Sequence, residues 1–176
     1  MTGKEFLNSL AKGRSDIIQL LLDILAETGT RYCLIGGLAV NAYAEPVVSL
    51  DIDIVIAAEN VETASKAADA RKLKVEPFER SVNISSPHSD LRIQLQTDPR
   101  YQEFIPRAEL KDVLGYKMVV AKLEDVLQGK VWAYMDQTRR RSKRQKDLAD
   151  ILRLIEAHPQ LAAKLPQSLR KELENK

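Results

Sequence analysis

The run VVSLDIDIVIA, which follows Pro46, is the most constraining stretch of the chain. Its β-branched residues and period-two alternation predict a strand, with Asp51 and Asp53 on one face and Leu50, Ile52 and Ile54 on the other. Two carboxylates held side by side repel each other. The arrangement is costly unless a cation neutralises the pair or the pair faces open water. Two readings therefore stand at this point. The pair is either two solvated aspartates on an exposed sheet face or an oxygen-only donor set for a hard cation. For such donors the usual solution is Mg²⁺ held together with substrate phosphates.

Upstream, residues 15–28 carry Ile17, Ile18, Leu21, Leu22, Ile24 and Leu25 on a broad apolar stripe, with Ser15 as N-cap and Gly29 as stop. This predicts an amphipathic helix. RYCLI then reads as a strand that ends at Gly36-Gly37, and LAVNAYAE as a helix. A glycine pair in that turn permits φ > 0 and close approach of another group to the backbone, and leaves free N–H groups at the helix start. A plain tight turn and a phosphate seat are both compatible with it. Its position about fifteen residues before the paired aspartates would let two strand ends converge on one anion and one metal.

Downstream, residues 60–72 read as a helix, and 73–79 as a short strand that Pro77 confines to a sheet edge. VNISSPHSD is a loop or hairpin, and LRIQLQT a half-polar strand in which Leu91, Ile93 and Leu95 alternate with Asp90, Arg92, Gln94 and Gln96. YKMVVA is a further short strand. Helices follow over about 122–135 and 142–157, the second with Leu148, Ile151, Leu152 and Ile155 as its buried stripe. There is no internal repeat and no low-complexity linker. The order α-β-α-β-α-β-β-β-α-α predicts an α+β fold, an α/β sandwich, with a core over 1–120 and a helical C-terminal part over 121–176 packed on it.

With the glycine pair and the aspartates in view, IGGLAVNAYAEPVVSLDIDIVI resembles the DNA polymerase β-type nucleotidyltransferase superfamily: a glycine pair on a short helix, then a D-x-D strand. More narrowly it resembles the minimal and AbiEii-like bacterial nucleotidyltransferases. The likeness is strong over residues 31–56 and continues loosely through Lys130 and RRRSKRQKDLADI. It implies a mixed sheet flanked by helices and Mg²⁺-dependent transfer of a nucleoside monophosphate from a nucleoside triphosphate to a hydroxyl of protein, tRNA or a small molecule. By the same resemblance, Gly36 and Gly37 would hold phosphates, and Asp51 and Asp53 would ligate metal. Where the family often shows R-x-T before D-x-D, this chain has Val47 and Ser49, which leaves Ser49 as the polar contact. Where a third carboxylate is expected on a later strand, the chain has Arg92 and Gln94, and Asp90 is the candidate. The resemblance also suggests the toxin of a bacterial toxin–antitoxin or phage-defence pair, with an antitoxin protein as partner. The alternative is a catalytically degenerate nucleotide- or partner-binding protein of the same fold.

Arg139, Arg140, Arg141, Lys143, Arg144 and Lys146 place six cations in eight residues. Such a run repels itself and seeks phosphates or solvent. Arg139, Lys143 and Lys146, with Lys130 on the preceding helix, are therefore candidate nucleotide contacts, against the simpler alternative of solvated lysines and arginines. A formal net charge of only +2 gives no global field for nucleic acid or membrane, so an RNA-binding module would have to rest on this cluster alone. The one cysteine, Cys33, cannot form an internal disulfide and reads as a small buried hydrophobe. Lacking an apolar leader at its start and any stretch of ~20 apolar residues, the chain is expected to be cytoplasmic, without a membrane partner. Its two histidines, His88 and His158, lie far apart, so zinc spacing is absent and any metal would take oxygen ligands.

Overall fold

The structure, a computed structural model, describes residues 2–12 and 16–174. Within them, helices α1 (Gly3–Leu10) and α2 (Ile17–Glu27) lead into strand β1 (Tyr32–Ile35), the short helix α3 (Gly36–Val40) and strand β2 (Asp51–Ile56). Then come α4 (Val61–Ala70), β3 (Lys74–Pro77), β4 (Ser81–Ser86), β5 (Ser89–Gln96), α5 (Pro99–Gln102), β6 (Glu109–Val113) and β7 (Tyr116–Val120). Helices α6 (Leu123–Met135), α7 (Arg141–Ala157) and α8 (Gln167–Glu174) close the chain. The fold is α+β, as the alternation of elements predicts.

Seven strands form one mixed sheet in the order β3-β4-β5-β2-β1-β7-β6. The β2–β5 and β1–β7 neighbours are parallel, and the remaining pairs are antiparallel. Strand β2 sits at the centre, with Ile52, Ile54, Val55 and Ile56 fully buried. On β5 the alternation places Leu91, Ile93 and Leu95 in the core, and on β4 it places Val82 and Ile84 there. The opposite face of β2, β4 and β5 carries polar side chains. Helix α2 adds Ile17, Ile18, Leu21, Leu22, Ile24 and Leu25 to the core, and Gly29 takes the left-handed φ of +61° after its last turn. Cys33 is buried as a small apolar group, and burial pushes its thiol up to about 12.

Several expectations need correction. Ser15 lies outside the described residues, and the α2 cap is Asp16, whose side chain accepts a hydrogen bond from the Gln19 amide. Residues 47–50 are not strand. Asn41 pins them instead, its side chain donating to the Val47 carbonyl and accepting from the Val47 amide, each at 2.9 Å, so β2 begins at Asp51. Of the two readings of VNISSPHSD, the hairpin holds, and its first residues belong to the full strand Ser81–Ser86, paired to β5. Strand β6 is not among the expected elements, because its ELKDV sequence has only two apolar residues, and Leu110 stays 68% exposed. Helix α1, with a Thr2–Glu5 capping box, and helix α8 are further additions to the expected order.

Helix α7 is rotated from its expected orientation. Leu148, Ile151 and Leu154 are buried, whereas Leu152 is 38% exposed. Urea denaturation tests this directly. Leu154→Ala should cost about 3 kcal/mol, as a buried leucine truncation does, and Leu152→Ala no more than about 0.5 kcal/mol.

Candidate active site

Asp51 and Asp53 project from the same face of β2 into a cavity of about 520 Å³. The cavity floor is sheet: Asn83 and Ser85 from β4, with Arg92, Gln94 and Gln96 from β5. Glu76 of β3 lies at its far edge, and Tyr101, Gly129, Lys130, Ala133, Arg139, Lys143 and Asp147 form the helical wall. Strand register orders the floor. One row across the sheet runs Lys74, Ser85, Arg92, Asp51, and the next runs Glu76, Asn83, Gln94, Asp53.

The two aspartates have unlike surroundings. The Asp51 carboxylate meets Lys143 Nζ at 2.9 Å through one oxygen and Arg92 Nε at 2.8 Å through the other. Burial pushes the Asp51 carboxyl up, but Lys143 and Arg92 together outweigh it and hold it below the usual carboxylate range. Asp53 is partly buried and, among the described residues, makes no hydrogen bond or ion pair with its carboxylate. Burial pushes it up, and the charges of Lys130, Arg139 and Lys143 compensate only in part. Asp53 is thus a desolvated carboxyl group beside a second carboxylate and a cavity, with cations near it but none in direct contact among the described residues.

Gly36 is explained by Asp53 itself. Its φ is +72°, and a Cβ there would lie 2.4 Å from an Asp53 carboxylate oxygen, so only glycine lets β1 end against that side chain. Gly37 has no such constraint. A Cβ on it would meet only an Asp150 oxygen at 3.7 Å, and Gly37 does not line the cavity.

Behind the cavity wall lies a buried ion network. Lys130, 8% exposed, contacts Asp147 at 3.0 Å and Asp150 at 2.7 Å. Arg139 Nε reaches the other Asp147 oxygen at 2.8 Å, and Arg153 meets Asp150 at 2.7 Å. Burial pulls the Lys130 amine down, but the two aspartates more than reverse this and hold it above its ordinary value. Lys130 is thus neither a surface lysine nor a free phosphate ligand. It braces α6 against α7 and sets the wall's field.

Of the residues singled out from sequence, Gly36, Asp51, Asp53, Lys130, Arg139 and Lys143 line the cavity. Ser49 stands just outside, its hydroxyl accepting from the Asp51 amide and donating to the Asp51 carbonyl, both at 3.2 Å, which positions the strand start. Lys146 is exposed on α7 and is not among the lining residues. Asp90 is placed elsewhere. Because Arg92 is the cross-strand partner of Asp51, Asp90 lies beyond the pair at the strand's beginning, where its side chain is 54% exposed and meets Lys12 at 3.6 Å. Sequence reasoning does not single out Asp150, Asn83 and Glu76. The i, i+3 spacing from Asp147 on α7 is a readable signal for Asp150, whereas Asn83 and Glu76 depend on strand pairing.

Three outcomes follow for stability. Gly36→Ala should lower the melting temperature sharply and Gly37→Ala only slightly, as read by thermal denaturation. Lys130→Met removes the buried cation that Asp147 and Asp150 share, leaving each with only its arginine, and should cost about 3 kcal/mol by urea titration. Asp53→Asn should raise the melting temperature at neutral pH. Because the folded Asp53 value is raised, that gain should shrink as pH falls through it and vanish below the ordinary carboxylate value of about 3.9.

Comparison with solved structures places this architecture. ANT(2″)-Ia in complex with adenylyl-2″-tobramycin matches 90% of this chain and 95% of its own at 14% identity, with a TM-score of 0.65. The lincomycin-bound lincosamide antibiotic adenylyltransferase LnuA matches 81% of this chain and 98% of its own at 12% identity, TM-score 0.57. An antigenic nucleotidyltransferase-like protein from Paracoccidioides brasiliensis matches 96% and 86% at 18% identity, TM-score 0.57. No family model matches the sequence, and no curated protein does. At such low identity the likeness is one of backbone architecture: the chain has the nucleotidyltransferase fold.

Proposed function

We propose that the protein is a Mg²⁺-dependent nucleotidyltransferase that moves a nucleoside monophosphate from a nucleoside triphosphate to an acceptor, with Asp51 and Asp53 as the metal-binding pair. The observation that carries this reading is the unbalanced Asp53. It shares a strand face with Asp51, has no direct counter-charge among the described residues, and borders a cavity walled by Lys130, Arg139 and Lys143. Mg²⁺ is commonly held by one or two carboxylates plus substrate phosphates, and this donor set fits one such ion. Bound there, the ion would neutralise charge on the phosphates.

The chain's own groups do the rest by position and charge. Arg139 and Lys143 present cations at the wall for phosphate oxygens, and Lys143 would exchange its Asp51 contact for a phosphate when the carboxylate takes the metal. Lys130, fixed by Asp147 and Asp150, contributes a positive field from behind. Gly36 gives the floor its shape by letting Asp53 stand close to β1. Ser49 supports this reading only indirectly, by positioning the start of β2, and Gly37, Lys146 and Asp90 lie outside the cavity.

The minimal or AbiEii-like subtype, the toxin role with its antitoxin partner, and the protein or tRNA hydroxyl acceptor rest on the sequence resemblance alone. A second reading has a specific observation in its favour. No carboxylate stands beside Asp51 and Asp53 on β5, where Arg92 and Gln94 occupy the register positions, so a degenerate site that binds nucleotide without turnover is the rival.

Incubation with α-³²P-labelled nucleoside triphosphates, tRNA and cell proteins decides between them. Mg²⁺-dependent label transfer, abolished by EDTA and reduced about 10³-fold in Asp51→Ala and Asp53→Ala, is the expected result. Nucleotide binding with neither label transfer nor pyrophosphate release would favour the degenerate site.

A further inference from the structure

The acceptor side of the cavity is unusual in its charge. Beyond the aspartate pair the floor offers Arg92 and Gln94 on β5, then Ser85 and Asn83 on β4. Gln94 Nε2 approaches Asn83 Oδ1 at 3.4 Å, so these amides already interact with each other. The two remaining cavity carboxylates are committed. Asp147 holds Lys130 and Arg139, and Glu76 pairs with Lys74 at 2.9 Å. Glu76 also lies three strand spacings from Asp53, roughly 14 Å away at the usual strand separation. Apart from Asp51 and Asp53 themselves, which the reading above assigns to the metal, no described acid lining the cavity is placed to take a proton from an acceptor there.

In that place stands a guanidinium. Arg92 contacts Asp51 through Nε, its side chain is 70% exposed, and among the described residues Asp51 is its one partner. Arg92 lines the cavity, and a guanidinium carries a fork of N–H donors of the kind that matches carboxylate and phosphate oxygens. A hydroxyl acceptor gains from a base because it keeps its proton far above neutral pH. A phosphate monoester, with its second ionisation near about 6, or a carboxylate, near about 4, is already an anion and needs none.

We infer that the acceptor is an oxyanion, a phosphate monoester or carboxylate, that Arg92 binds beside Asp51. This inference rests on the nucleotidyl-transfer reading above and replaces the hydroxyl acceptor that the sequence resemblance implies. An acceptor oxygen forms the new bond to the α-phosphorus. The bond from the α-phosphorus to the bridging oxygen breaks, and its electron pair leaves with pyrophosphate. No proton leaves the nucleophile, and the product is a phosphoanhydride or an acyl phosphate ester of the nucleotide. Arg92 positions the acceptor and offsets the repulsion between two anions.

The test offers the wild-type chain Mg²⁺ and each of the four nucleoside triphosphates, with inorganic phosphate, methyl phosphate or acetate in parallel with methanol and glycerol. Pyrophosphate release is followed, and ³¹P NMR identifies the linkage formed. Release faster by about tenfold or more with the oxyanions, and an anhydride-linked product, are expected. Arg92→Gln should raise the KM for methyl phosphate about tenfold or more with a smaller change in kcat, and Arg92→Lys should recover part of the loss. Calorimetric titration of methyl phosphate into protein loaded with Mg²⁺ and a non-hydrolysable nucleotide should saturate for wild type and not for Arg92→Gln. Transfer to methanol or glycerol at an equal or greater rate would overturn the oxyanion acceptor and leave nucleotidyl transfer standing. Absence of pyrophosphate release with every acceptor, while nucleotide still binds, would overturn both.

Discussion

Like-charge repulsion between Asp51 and Asp53 organises much of this molecule. A strand that carries two carboxylates on one face must be supplied with positive charge from elsewhere, and the fold supplies it unevenly. Asp51 receives Lys143 from the start of α7 and Arg92 from the neighbouring strand, whereas Asp53 receives only the field of cations at a distance. The centre of the sheet consequently carries a desolvated carboxyl group at the base of a cavity, and its burial without a direct counter-charge costs stability.

The helical wall meets a related constraint. The cations of the wall repel one another, and Asp147 and Asp150 on α7 offset that repulsion by gripping Lys130, Arg139 and Arg153. The same contacts tie α6 to α7, so the wall's charge and its rigidity have one cause. Arg153 extends the tie by donating to Asn41 at 3.0 Å, and Asn41 in turn pins the loop that delivers Asp51. A continuous chain of polar contacts thus runs from the C-terminal helices to the first residue of β2.

Particular residues show what the sequence made legible. The alternation of DIDIVI, the apolar stripe of α2 and the breaks at Gly29 and Gly36 are local patterns, and the strand, helix and turns followed from them. Local pattern misled where polarity and burial part company. Val47 and Val48 are β-branched yet 53% and 45% exposed, because Asn41 holds that backbone in a loop. The Ser81–Ser86 segment looked like loop because one of its faces is polar, yet that face is the cavity floor. Strand β6 had too few apolar residues to show a pattern, and pairing with β7 determines it.

The sequence by itself determined that Asp51 and Asp53 share a face, because the period of a strand is a property of consecutive residues. It also carries the glycine break before them and the basic run that begins α7, whereas the need for glycine at 36 comes from its approach to Asp53. Only the tertiary structure decided that Arg92 and Gln94 flank the pair, that Lys143 returns across 92 positions to one of the aspartates, and that Lys130 is buried between two acids. Those neighbours arise from strand register and helix packing between distant segments. The chemistry of the site depends on them because charge acts between groups close in space, whatever their separation along the chain.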